Sequence, residues 1–144
     1  MKLDVVSAFN KIHVCEEDKK YTMFWTCWKL FKYLVMSFDI KNESGIFQHY
    51  INNLLHEFLD VFVITYIDNI LIYSFMLFKH QKHVHMILKH LKKADSQCDI
   101  KKCKFYATEV IYLDLIIFHD DIKMNSVKMK AIISWENFNN VHDI

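Results

Sequence analysis

The chain has 144 residues, of which 53% are hydrophobic and 15% aromatic, with a formal net charge of +1. That length makes one domain or a piece of one, and the aromatic content excludes a disordered chain, which would be poor in aromatics and rich in charge. A near-zero balance of charge names no partner by itself.

In chain order, residues 2–6 read as a buried strand, followed by strands over "YTMFW" (21–25) and "LFKYLVM" (30–36). The stretch 42–59 has apolar residues at 46, 47, 50, 51, 54, 55, 58 and 59, a helical period, with Asn42 as its N-cap. Residues 61–67 and 70–74 are β-branched and aromatic runs separated by Asp68-Asn69, which signals a hairpin. A second helix is expected over 79–94, with Val84, Ile87, Leu88 and Leu91 on one face. Residues 110–118 read as one or two strands, and 126–135 as a terminal helix. This mixture predicts an α+β fold. Residues 58–78 are long enough to span a membrane, but Asp60 and Asp68 would lie inside, and an Asp near the centre costs about 2.5–3.5 kcal/mol. No membrane association is therefore expected.

The N-terminal "MKLDVVSAFNKIH" carries an acid at position 4 and no long apolar core, so it does not read as a secretory signal. An intracellular protein is expected, in cytoplasm or nucleus, with Cys15, Cys27, Cys98 and Cys103 reduced. The chain has one Gly, no Pro and no Arg. Average usage would supply about ten Gly and about seven Pro, residues that tight turns require.

Asp68 lies at the middle of an otherwise apolar ribbon, and a carboxylate on a tight hairpin is rigidly aimed. If Asp4, on the first strand, reached the same point, the two could hold Mg²⁺, which takes oxygen ligands and binds through one or two carboxylates plus substrate phosphates. Taken singly, each acid also fits an ordinary turn or strand end.

The order of segments adds to this. "KLDVVSAFNKI", "LFKYLVMSFDIKNESGIFQHYIN", "YIDNILIYS", "KHQKHVHMILKHL", "KCKFYATEVIYLDLIIF" and "IKMNSVKMKAI" together resemble the reverse transcriptase palm of gypsy-like long-terminal-repeat retrotransposons, over nearly the whole chain. The resemblance implies a small antiparallel sheet with an Asp-bearing hairpin, backed by two main helices. It implies RNA-directed DNA polymerisation on an RNA/DNA primer–template with dNTPs and Mg²⁺. Asp4 and Asp68 match metal-binding acids, and Tyr66-Ile67-Asp68-Asn69 matches the Tyr-x-Asp-Asp hairpin, with Asn69 in place of its second acid. Phe9 matches the residue beneath the sugar, and Phe47-Gln48 the nucleotide and template contact. Residues 1–125 would form the palm, with some fingers elements at 11–40, and 126–144 would begin a connection toward thumb and RNase H. On this reading the chain is a Pol polyprotein fragment whose main fingers and thumb lie outside it. Oligomeric state is left open.

The departures from the family pattern share a direction. Pro becomes Ser37, Gly becomes Asp39 and Asp114, Asn-Ala-Pro becomes Asn42-Glu43-Ser44, and Asp becomes Asn69. Most are reachable by C-to-T change on one DNA strand or the other, which predicts a decayed and inactive copy. Carboxylates buried at 39 and 114 would cost several kcal/mol or force protonation, so marginal folding is expected.

Residues 79–104 carry eight Lys against two Asp, with His80, His83, His85 and His90 among them. They read either as a solvated face or as a phosphate-tracking surface, with Lys101, Lys102 and Lys104 the better nucleic-acid contacts. The alternative function is thus a non-catalytic nucleic-acid-binding remnant. His80 and His83 lack a third ligand at zinc spacing.

Overall fold

Alternation sets the first strand. In β1 (Lys2–Val6), Leu3 and Val5 are buried while Lys2 and Asp4 face the other way. The computed structural model describes residues 1–6, 8–38, 40–118 and 121–135. It divides into two compact units, Met1–Phe105 and a second from Tyr106. No helix among the described residues is long and apolar enough to cross a membrane.

In the first unit, β1 leads into a 3-10 turn, Phe9–Lys11, and a second, Glu16–Thr22. Strands β2 (Met23–Trp25) and β3 (Leu30–Lys32) form a separate antiparallel hairpin. Then come helix α1 (Glu43–Leu55), strands β4 (Val63–Tyr66) and β5 (Asn69–Ile72), helix α2 (Leu77–Lys93) and the short β6 (Gln97–Cys98). The main sheet has the order β4-β5-β1-β6, with every pairing antiparallel.

Helices α1 and α2 back this sheet, α1 against β4 and α2 against β5. Phe47, Ile51 and Leu55 recur at helical spacing on α1, and Ile87 and Leu91 on α2; all are at most 1% exposed. They close over Leu3, Val63, Ile70 and Ile72. Each such side chain contributes about 1.5–3 kcal/mol of burial, an upper bound.

Helix α1 is shorter than the periodicity predicts. The amides of Phe58 and Leu59 both bond the carbonyl of Leu55, and Asp60, at φ 59°, reverses the chain. Phe58 still reaches the core, which is why the apolar period continues past the helix end. Asn42 is the N-cap residue, but its side chain makes no capping bond. On α2 the inward stripe is His80, Val84, Ile87 and Leu91, whereas Leu88 is 38% exposed. The strand expected over 30–36 ends at Lys32, and Val35 makes only a single bridge to His13.

The second unit holds β7 (Val110–Tyr112), β8 (Leu115–Ile117) and β9 (Ile122–Met124) in one antiparallel sheet, then helix α3 (Ser126–Ile133). Asn125 caps α3, its Oδ1 accepting the Val127 N–H at 3.0 Å. The β7–β8 turn is Leu113-Asp114, both left-handed at φ 51° and 62°. The burial expected for the Asp114 carboxylate does not occur: it is 55% exposed and ion-paired with Lys128. The cost of two non-Gly residues in this turn therefore falls on the backbone rather than on solvation. Asp39 lies outside the described residues.

Candidate active site

Two residues, Ile67 and Asp68, close the β4–β5 hairpin between the opposed pair Tyr66 and Asn69. Of the two only Ile67 is left-handed, at φ 50°, the pattern of a type II′ turn whose first central residue is usually Gly. A β-branched side chain in that region costs about 1–2 kcal/mol, so surrounding contacts must hold it. Gln48 of α1 supplies one: its Oε1 accepts the Ile67 N–H at 2.7 Å. Its Nε2 donates to Asn52 Oδ1 at 2.7 Å and to Thr65 Oγ1 at 3.1 Å.

Strand β1 brings the second acid. Asp4 stands directly opposite Asn69, and the Val5 N–H donates to the Asp68 carbonyl at 2.8 Å. Residues 4, 68 and 69, separated by more than sixty positions in sequence, therefore meet at one end of the sheet. Asp4 and Asn69 face away from the helices, because their neighbours Leu3 and Ile70 form the core face.

Both carboxylates already have partners. The Asn69 Nδ2 donates to Asp68 Oδ1 at 2.7 Å. The Lys102 ammonium lies 3.7 Å from Asp4 Oδ1, whose side chain is only 14% exposed. Cys98, paired with Val5 on the next strand, sits close by; burial, with Cys103 and Asp4 adding, pushes its thiol up to about 11.

Oxygen donors of this kind suit a hard cation such as Mg²⁺, but the set is short. Among the described residues no three His, Cys, Asp or Glu side chains gather where they could hold a metal ion. Asn69 offers a carbonyl oxygen without charge, and its amide hydrogen is directed at Asp68. The residues present thus do not fit a two-ion clamp, which needs ligands for both the attacking and leaving oxygens.

Phe9, half-buried, meets Phe47 edge-on at 5.5 Å and Phe38 at 5.3 Å. Phe47 is 1% exposed, so Phe9 rests on a buried ring. Tyr66 is 50% exposed beside the turn. Lys101 and Lys104 are exposed, and the Lys104 backbone bridges to Lys2. His80 and His83 share the Ser74 hydroxyl, at 3.2 Å and 2.7 Å.

Residues 1–117 match the family model described as reverse transcriptase (RNA-dependent DNA polymerase). The chain belongs to the reverse transcriptase family. It is 32% identical over 133 residues to the retrovirus-related Pol polyprotein from transposon 297 of Drosophila melanogaster, covering 92% of this chain and 13% of that one. It is 35% identical over 130 residues to the Pol polyprotein from transposon opus of the same organism, covering 90% and 13%. With the transposon Tf2-7 polyprotein of Schizosaccharomyces pombe (strain 972 / ATCC 24843) it shares 32% identity over 135 residues, covering 94% and 10%. The chain thus spans only 10–13% of the length of these curated relatives.

Among solved structures, the foamy viral protease-reverse transcriptase in complex with dsDNA superimposes with a TM-score of 0.86 at 18% identity, covering 99% of this chain and 29% of that one. The same viral protein in complex with an RNA/DNA hybrid gives 0.83 at 18% identity, covering 95% and 18%. The fold is that of a reverse transcriptase palm.

The sequence led to the expectation that Asp4 and the Asp68 hairpin converge, and the register brings them together. Sequence reasoning missed Thr65, Asn52 and the contact of Lys102 with Asp4. Gln48 and Asn52 at i and i+4 were readable as one helix face. Lys102 carried no comparable signal, because its partner lies on a strand far away in sequence.

Proposed function

We propose that this palm descends from an RNA-directed DNA polymerase and that the present copy does not catalyse the reaction. The ancestral step is attack of a primer 3′-OH on the α-phosphate of a dNTP. Two Mg²⁺ ions would be held there by Asp4, Asp68 and an acid formerly at position 69. The observation that carries the reading is the β1–β5 register, which sets Asp4 opposite Asn69 and against Asp68. Phe9, braced by Phe47, fits the floor of a nucleotide sugar pocket, with Tyr66 and Gln48 bordering it. Lys101, Lys102 and Lys104 would lie toward a primer–template. In this reading residues 1–125 are palm and 126–144 begin the connection to a following segment.

Inactivity follows from the ligand set. With Asn69 neutral and Lys102 beside Asp4, a divalent cation meets less negative charge and must displace an internal cation. Primer extension with Mg²⁺ or Mn²⁺ tests this: extension above that of Asp68→Ala would overturn inactivity. Restoring the acid by Asn69→Asp should create Mn²⁺ binding, measured by loss of the free-ion electron paramagnetic resonance signal. No gain would remove the metal lineage of the hairpin.

We attribute the departures to decay of an element copy by cytosine deamination or a repeat-targeted process. Coding DNA without a transition bias against intact copies would reject that origin.

A second reading, a non-catalytic nucleic-acid-binding remnant, is favoured by one observation. Lys79, Lys82, Lys89, Lys92 and Lys93 are all exposed on or at the end of α2. Binding to an RNA/DNA duplex that weakens steeply with salt and ignores Mg²⁺ would support it.

A further inference from the structure

We infer that Asn52 and Thr65 are positioning residues that act through Gln48 to lock the hairpin carrying Asp68. Their purpose rests on the palm reading above; their geometry does not.

The turn needs such a lock. Ile67 holds a left-handed backbone that β-branched residues avoid, and relaxing it would redirect the next residue, Asp68. A side chain holds the turn's first amide: the Ile67 N–H donates to Gln48 Oε1 at 2.7 Å. A glutamine has several rotamers, so this acceptor is useful only if its amide is fixed in one orientation.

Asn52 and Thr65 fix it. Asn52 follows Gln48 by one helical turn, and its Oδ1 accepts both the Gln48 Nε2 and the Thr65 hydroxyl, each at 2.7 Å. Thr65 Oγ1 in turn accepts Gln48 Nε2 at 3.1 Å. Those two acceptors oblige Nε2 to face Asn52 and Thr65, which leaves Oε1 facing the turn. The result is a half-buried triangle joining α1 to β4. Flipping the Gln48 amide would present a donor to the Ile67 N–H and an acceptor to Asn52 Oδ1, breaking both ends at once.

Asn52 is needed only as a double acceptor, so Asp should replace it and an apolar isostere should not. Amide hydrogen exchange on the full chain, read by nuclear magnetic resonance, tests this. In Asn52→Leu and Thr65→Val the Ile67 amide should exchange at least tenfold faster, while Ile64 and Leu71 amides stay unchanged. Asn52→Asp should retain full Ile67 protection, which separates positioning from bulk packing. Unchanged Ile67 exchange in Asn52→Leu overturns the inference, as does acceleration of all three amides together. In the Asn69→Asp background, Asn52→Leu should weaken Mn²⁺ binding at least tenfold and Asn52→Asp should restore it. Equal Mn²⁺ affinity in all three overturns the link to the acid pair. If Asn69→Asp binds no Mn²⁺ at all, the metal reading fails, and the exchange result alone decides the triangle.

Discussion

The chain's single glycine occurs where no glycine is needed. Gly45 lies in the first turn of α1, at ordinary helical φ, and a Cβ built there meets nothing within 4 Å. Gly45→Ala therefore adds no clash and removes only the excess chain entropy of glycine. In a helix interior that exchange is worth about 0.8–1.0 kcal/mol. In the first turn the amide has no intrahelical partner, so about 0.5–1 kcal/mol is the expected gain. For a chain of this size that raises Tm by about 2–5 °C. Urea unfolding followed by far-ultraviolet circular dichroism should show a higher midpoint with an unchanged slope. A lower midpoint would mean that residue 45 is not helical in solution, and the reasoning about α1 would fail.

Phe47→Ala removes a fully buried ring on which Phe9 rests, and should cost about 3–5 kcal/mol, seen as loss of cooperative urea unfolding. Thiol labelling at about pH 8 should reach Cys15 and Cys27, both exposed, well before Cys98, whose thiol is pushed up to about 11; mass spectrometry of early time points gives the order. Burial, with the N-terminal amine and His83 adding, holds His80 below the usual histidine range. The unfolded chain then takes the proton first, so stability present above about pH 6.5 is lost as pH falls toward the folded-state value. The urea midpoint should drop between about pH 7 and about pH 5, and drop less in His80→Gln. Glu43→Ala removes a buried carboxylate oxygen that has no hydrogen-bond partner, at a helix start that partly offsets its cost, and should gain about 1 kcal/mol by the same titration.

Strand β1 and the β4–β5 hairpin were legible because alternation and β-branched runs depend on local sequence alone. The convergence of Asp4 with Asp68 was legible only through the family resemblance, since no local pattern fixes which strands pair. The end of α1 misled because Phe58 and Leu59 continue the apolar period through a tight turn. Strand β6 has two residues and β9 three exposed ones, too short for any periodic signal. Thr65 could be assigned to the Gln48 side only after the hairpin register was known, because a slip of one residue turns it to the other face.

If the copy has decayed as proposed, the kind of mutation would spare the fold more than the chemistry. C-to-T change drives codons toward Phe, Ile, Leu, Tyr, Lys and Asn. Four of those build cores and strands, and Lys stays at the surface, so hydrophobic patterning survives such mutation. Gly, Pro and Arg codons are removed, and the chain has one Gly, no Pro and no Arg, the first two being residues that tight turns require. Asp60, Ile67, Asp95, Tyr106, Leu113 and Asp114 hold left-handed conformations without a glycine among them. Three of the six are Asp, which tolerates that region better than most residues and is one base change from Gly. Glu43 is an exception, since Ala to Glu requires a transversion, so decay of this one kind does not account for every departure. Asn69 remains the discriminating position. Base composition alone gives no reason for a selected polymerase to surrender a metal ligand, whereas an unselected copy loses it as readily as any other Asp codon.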